Sequence, residues 1–363
     1  MRRKEGGGGQ FTSVDLLNWV KEHDKITELD TAFVVSNFFV ANEGPNGLRF
    51  GVVLSTPRLL RVLVDEPFAQ GGSLHVDATY KLIWQGYPVM ILATSNADHR
   101  TRPIAISVTS HEDSESIEFL FKSVQNGTQQ LTGELYKPGV VLGDGAMAIT
   151  SAVRNTFGAD CPRAMCWAHV YRKVQKQLMS VSEDTRSSVL KELQLLQVAP
   201  DASTFSMAVP LFLQWLDTNP ELAPFKAYFT RQWLGELSGW FEGFTGVRAS
   251  TNNGLEAING TLKSSYTLRD RLPLPRFLQK AVEAAEDWSF TLSQEGFKSV
   301  RSITLKDWTA AWQWTQEKPL ILSRTFGGFP CRFIKPTEGH ETREEFASLV
   351  EDVMQCALQE FDT

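Results

Sequence analysis

The sequence predicts an α/β fold built on a mixed sheet, and three observations predict it. Apolar and polar residues alternate with period two from Leu74 to Leu82, and two further apolar runs follow at Tyr87 to Thr94 and Arg102 to Thr109, which makes a three-strand meander. A fourth run, Val140-Val141-Leu142, is apolar on both faces and stops abruptly at Gly143-Asp144-Gly145, as a central parallel strand does. Helical spacing of apolar residues fills the gaps between the later runs, and beyond Ser180 strand signals stop.

Taken in order, residues 1–10 carry Arg2-Arg3-Lys4 and then Gly6 to Gly9, which reads as a flexible tail. Residues 11–70 form an N-terminal lead-in with a helix over Val14 to Glu22, a short strand over Arg49 to Leu54 and a helix around Pro57 to Val64. Residues 71–179 are the first part of the core. Its first strand is half-buried with Asp77 on the polar face, and Ser95-Asn96-Ala97-Asp98 supplies a turn within the meander. A helix over Ser116 to Gln130 buries Ile117, Leu120, Phe121 and Val124, and one starting near Ala146 buries Ile149, Val153 and Phe157. A short strand, Arg163 to Trp167, gives way to a basic helix over Val170 to Met179. Three strands, then helix, strand, helix, strand, helix, is the order of a ribonuclease H-like mixed sheet flanked by helices. Residues 180–245 form an all-helical insertion, dense in aromatics from Phe205 to Phe244, which read either as a core of their own or as platforms for unpaired bases. Residues 246–290 return to the core, and 291–363 form a C-terminal region to which the sequence assigns no role.

At 363 residues and 42% hydrophobic the chain can bury a large core. No stretch reaches the roughly 18 apolar residues of a membrane span and no signal-peptide core opens the chain, so a soluble, intracellular protein is expected. Four scattered cysteines, Cys161, Cys166, Cys331 and Cys356, read as reduced thiols. A net charge of −6 counts against a nucleic-acid partner. Two local windows point the other way. Cys161 to Ser182 holds Arg163, Arg172, Lys173 and Lys176 with no acid, and Thr261 to Lys280 holds Lys263, Arg269, Arg271, Arg276 and Lys280 against Asp270 alone. Such windows are solvated faces or a phosphate-binding rim.

Phosphoryl transfer on a nucleic-acid backbone requires two divalent cations about 3.5–4 Å apart, held by carboxylates brought from different elements. Asp77 and Asp144 suit that task if their strands are neighbours, since open sheets gather ligands outside strand carboxyl ends. Either could also be a simple turn former. Glu256 lies in Ser250-Thr251-Asn252-Asn253-Gly254-Leu255-Glu256, where Thr251 to Asn253 offer helix N-caps, Leu255, Ile258 and Leu262 an apolar face, and Glu256, Asn259 and Lys263 the opposite one. It could equally be a dipole complement. Cys166 and His169 form a CxxH, half a zinc site with no second pair nearby, so structural zinc is not expected; a buried Cys with a His touching the site is the better reading.

The segments HVDATYKLIWQGYPVMILATSNADHRTRPIAISVTS, KPGVVLGDGAMAITSAVRNTFG, RAMCWAHVYRKV and TNNGLEAINGTLK together resemble the Mutator-like element (MULE) transposase domain of the DDE superfamily, over about Ser73 to Leu278. The order Asp, Asp, CxxH, Glu and the Trp84 to Pro88 step appear together. The resemblance implies a ribonuclease H-like core with a helical insertion before the last catalytic residue, and Asp77, Asp144 and Glu256 as catalytic and metal-binding triad. It also implies Mg2+ or Mn2+, two ions, as cofactor, and double-stranded DNA, both transposon ends and target, as partner. Arg172, Lys173, Lys176, Lys263, Arg269 and Arg271 are the expected DNA-binding residues. A homodimer or higher oligomer is compatible with it, no membrane partner is expected, and a eukaryotic host would put the protein in the nucleus. The zinc modules of fuller family members have no counterpart in these residues, so a separate DNA-recognition partner is a further expectation. Two alternatives stand beside strand cleavage and transfer: a domesticated DNA-binding or regulatory protein without activity, and a ribonuclease H-like nuclease.

Overall fold

A computed structural model describes residues 12–41, 48–65, 72–96, 98–245, 249–297, 302–317, 320–326 and 329–335, with 342, 344, 345, 347, 348, 350 and 351 beyond these. The expected flexible tail lies outside the described residues. The chain divides into two compact units, 1–301 and 302–363.

The first unit is built on a seven-stranded sheet, and the lead-in belongs to it. After α1 (Ser13–Glu22), capped by a Thr12–Asp15 capping box, β1 (Phe33–Ala41) and β2 (Leu48–Ser55) pair antiparallel. The sequence reading missed β1 because a register shift between Val34 and Ser36 breaks its alternation. Then come α2 (Pro57–Asp65), β3 (Ser73–Thr79), β4 (Val89–Ser95), β5 (Thr101–Thr109), α3 (Ser114–Thr132), β6 (Val140–Gly143), α4 (Met147–Phe157), β7 (Arg163–Met165) and α5 (Trp167–Gln177). The strand order is β1-β2-β5-β4-β3-β6-β7. β3, β4 and β5 form an antiparallel meander, and β6 and β7 add in parallel beside β3. That meander plus two parallel strands is the ribonuclease H-like sheet that the sequence predicts, widened by a hairpin.

Helices cover both faces. Alternate residues of β4 divide between two cores, Met90 and Leu92 with α2, α3 and α4, and Val89, Ile91 and Ala93 with α1 and the later helix α11 (Leu274–Glu295). The first strand is therefore not half-buried as its alternation suggests: β3 is covered on both faces, and His75 is as buried as Val76. α11 runs unbroken past residue 290, and Leu292 and Phe297 join the first core, so the unit extends to 301.

Between α5 and the return to the core lie α6 (Glu183–Gln197), α7 (Ala202–Asp217), α8 (Ala223–Trp233) and the short α9 (Glu242–Thr245). Their core contains Phe205, Phe212, Phe225, Phe229, Trp233, Trp240 and Phe241, together with Val170 and Val174 from the underside of α5. These seven follow the packed-core reading, because buried rings offer no face to a base, and Trp215, Tyr228 and Phe244 pack partly buried against them. Next comes α10 (Asn253–Thr261), which runs into a π-helical turn over Leu262–Tyr266. In the second unit, α12 (Leu305–Gln316) and the hairpin of β8 (Ile321–Phe326) and β9 (Phe329–Ile334) are described. Among the described residues no helix is long and apolar enough to cross a membrane.

Candidate active site

The sheet register brings the two aspartates level. β3 and β6 pair in parallel with a constant offset of 67, Ser73 with Val140 through His75 with Leu142, and Asp77 and Asp144 differ by the same 67. Extending the register two steps sets Asp77 beside Asp144, on strands that lie about 4.8 Å apart. β7 pairs with β6 at an offset of 22, so Cys166 is level with Asp144 in turn, and its amide donates to the Gly143 carbonyl at 2.8 Å. Asp144 Oδ1 accepts the Ala146 amide at 2.9 Å, a turn that points the chain into α4.

α10 closes the third side. Asn259 Nδ2 donates to Asp77 Oδ2 at 2.8 Å, and Glu256 is one turn earlier on the same helix. Gly254 permits this approach, since a Cβ there would lie 2.0 Å from Thr101 Oγ1 at the start of β5. Burial first, and then repulsion from Asp144 and Glu256, push the Asp77 carboxyl up to about 6. Three negative charges thus converge on one end of the sheet.

Glu256 is held from the other side by α5. Arg172 Nη2 lies 2.6 Å from Glu256 Oε1, and His169 Nε2 lies 3.7 Å from the same oxygen. Burial and the neighbouring Arg172 lower the His169 pKa. As the side chains stand, no three His, Cys, Asp or Glu residues among the described ones are gathered closely enough to hold a metal ion. The donor chemistry nevertheless suits a hard divalent cation: three carboxylates, with Asn259 Oδ1 buried and unpartnered beside Asp77.

The expected DNA-binding residues divide by location. Arg172, Lys173 and Lys176 are exposed on α5, Arg269 and Arg271 are exposed after the π-helical turn, and Lys263 within that turn is partly buried. A Cβ on Gly145, the residue after Asp144, would lie 3.5 Å from Lys173 Nζ, so that ammonium sits at the acidic cluster; it also lies 6.0 Å from the Trp233 ring centroid. Arg163, counted in the same basic window, is no surface residue. Its guanidinium is buried and donates to the carbonyls of Val141, Ala164 and Asp144.

Sequence reasoning missed Asn252 and His75 as parts of this site. Asn252 is the N-cap of α10 but its side chain makes no capping bond; it is buried against His75 and β3. Burial lowers the His75 pKa to about 4, so the imidazole is neutral. A polar His at an alternating strand position is the signal that could have flagged it, yet alternation implied the opposite exposure.

Comparison with known proteins gives one family match: the model of the MULE transposase domain matches residues 73–173. No curated protein matches the chain. Among solved structures, the Drosophila P element transposase strand transfer complex is similar at 11% identity and a TM-score of 0.25, covering 84% of this chain and 79% of that one.

Proposed function

We propose, from the premise that residues 73–173 carry a MULE transposase domain, that the chain is the catalytic core of a DNA transposase that cleaves DNA strands and transfers a 3′-hydroxyl end. The single observation that carries this reading is the parallel register of β3 and β6, which, extended two steps, sets Asp77 level with Asp144 just past the end of β6, with Glu256 on the helix bonded to Asp77. Asp77, Asp144 and Glu256 are the residues that would hold two Mg2+ or Mn2+ ions. When bound, such ions activate the attacking oxygen and stabilise the leaving one. The carboxylates supply the charge that attracts them, and relief of the repulsion that now raises Asp77 favours occupancy. Lys173, with Lys176, Lys263, Arg269 and Arg271, supplies positive charge for the phosphates around the site.

Strand cleavage and transfer on pre-cleaved duplex ends, with Mg2+ or Mn2+, test this directly. Asp144→Asn keeps shape and loses ligand charge, so both activities should fall by several kcal/mol of transition-state stabilisation while folding and DNA affinity stay near wild type. Undiminished activity in that variant would end the triad assignment. Cleavage without any joined product would instead support a nuclease of the same fold. The ion pair of Glu256 with Arg172 favours a second reading, a DNA-binding protein without activity. That reading gains if wild-type protein binds duplex yet shows no divalent-dependent chemistry.

A further inference from the structure

We infer that Asn252 is a positioning residue that locks α10, and with it Glu256, to the strand of Asp77 and to the head of α5, and that Cys166 of the CxxH acts there as a hydrogen-bond acceptor. Three bonds leave this one residue. Its Nδ2 donates to the Val76 carbonyl at 3.1 Å, its Oδ1 lies 3.0 Å from His75 Nδ1, and its amide donates to Cys166 Sγ at 3.2 Å. Asn252, His75 and Cys166 are all fully buried, at 0% exposure, so bulk water does not compete for these bonds.

The donor and acceptor directions are fixed for the Asn252 amide and the ring nitrogens of His75. Because Nδ2 faces a carbonyl, Oδ1 must be the atom facing His75, and His75 Nδ1 must carry its proton. His75 Nε2 is then the acceptor for one of the hydroxyls of Ser73 and Ser95, at 2.9 and 3.1 Å, and the other hydroxyl donates to its serine partner at 2.7 Å. Reversing the amide would set oxygen against the Val76 carbonyl and nitrogen against a protonated ring nitrogen. Only one orientation of the Asn252 amide satisfies its partners, and a buried polar group with one solution specifies one geometry.

Geometry makes this a site device, over and above its contribution to packing. Val76 adjoins Asp77, Cys166 is level with Asp144 and begins the chain into α5, and Glu256 donates its amide to the Asn252 carbonyl at 2.9 Å. A second tie runs parallel, from the Trp167 amide to the Ser250 carbonyl at 3.0 Å. One asparagine thus connects the strand of Asp77 and the helix of Glu256 to Cys166, whose amide in turn donates to Gly143, the residue before Asp144. The consequence for catalysis rests on the transposase reading; the consequence for the order of α10 does not.

The test is amide hydrogen exchange over residues 253–261 in the full chain, with the strands β3 to β5 as internal reference, for Asn252→Ala, Cys166→Ala and Cys166→Ser. Exchange of α10 should quicken at least tenfold in Asn252→Ala and Cys166→Ala, with the reference strands unchanged. Cys166→Ser keeps an acceptor for the Asn252 amide and should keep wild-type protection. Zinc content is measured on the same samples. If Cys166→Ser loses protection as fully as Cys166→Ala and bound zinc disappears with it, the sulfur is a ligand and the inference fails. It fails also if Asn252→Ala leaves α10 protection unchanged. Should Asn252→Ala not fold, the cysteine pair decides alone. If wild type cuts DNA, the loosened variants should lose kcat with KM for DNA held; absence of cutting in wild type bears on the transposase reading and leaves the exchange result standing.

Discussion

Asp77 titrates in a setting that opposes its charge, with burial and two neighbouring carboxylates all favouring the protonated acid. Its pKa rises from 3.8 to about 6, so between these values the folded state binds a proton that the unfolded chain has released. A raised carboxyl pKa contributes stability that is fully present below about pH 4 and lost as pH climbs through 6. The ceiling on that loss is about 3 kcal/mol, reduced by whatever solvent reaches the group. Asp77→Asn should therefore melt higher than wild type at pH 7.5, with the advantage shrinking to nothing near pH 4. Thermal denaturation of both proteins across that range, without divalent cations, reads it. An equal Tm difference at both ends would show that charge at residue 77 is not strained. Adding Mn2+ should raise the wild-type Tm at pH 7.5 more than that of the variant. The acid itself was legible, since alternation set it on the face away from Val76. Its burial was not, because a strand's own sequence does not report the helix laid across its polar face.

At the scale of elements, the position of α10 depends on a missing side chain. Gly254 sits where a Cβ would lie 2.0 Å from Thr101 Oγ1 and 2.6 Å from Thr101 Cβ, contacts that no rotamer of Thr101 removes entirely. Gly254→Ala should push the helix start off β5, costing about 1–3 kcal/mol as overpacking does, and displace Glu256 with it. Thr101→Gly removes both clashing atoms, so the double variant should recover part of the loss. Denaturant titration of the four proteins gives the coupling; strictly additive effects would mean that the two residues do not meet. The NNGLE segment was legible as a helix start, because turn formers precede an apolar face. The role of Asn252 was not, since capping and tertiary locking draw on the same residue type, and only the fold brings His75 and Cys166 to it. Arg163 misled for a similar reason. A charge window records signs along the chain, whereas direction is set by the strand, and the pleat of β7 turns this guanidinium inward to the carbonyls of Val141 in β6 and of Asp144 just beyond it. β1 was hidden by its bulge, and the insertion was plain because ten aromatics between Phe205 and Phe244 need burial wherever helices allow it.

For the molecule as a whole, net charge and local charge disagree, and the distance over which charge acts decides between them. The chain carries −6, yet a phosphate feels charges only within about a Debye length, near 8 Å at physiological salt. Lys173 lies beside Gly145, next to Asp144, and Arg172 touches Glu256, so the basic face of α5 borders the acidic cluster. Lys263 follows Glu256 by two helical turns and belongs to the same stretch of helix. Remote acids are screened from DNA lying there, while these cations are not. Arg172, Lys173 and Lys263 changed together to Ala should weaken binding to unrelated duplexes alike. The slope of log affinity against log salt should flatten by about 0.9 for each phosphate that the variant no longer neutralises, up to about 3 for the three. Base preference should stay as it is, because phosphate contacts carry no sequence information. Part of the Arg172 effect is offset, since its removal also frees Glu256 from an exposed ion pair worth under about 1 kcal/mol. Equilibrium binding of wild type and triple variant to several duplexes over a salt series measures both quantities. Superimposable slopes would make these residues a solvated face and leave DNA, if it binds, to some other surface.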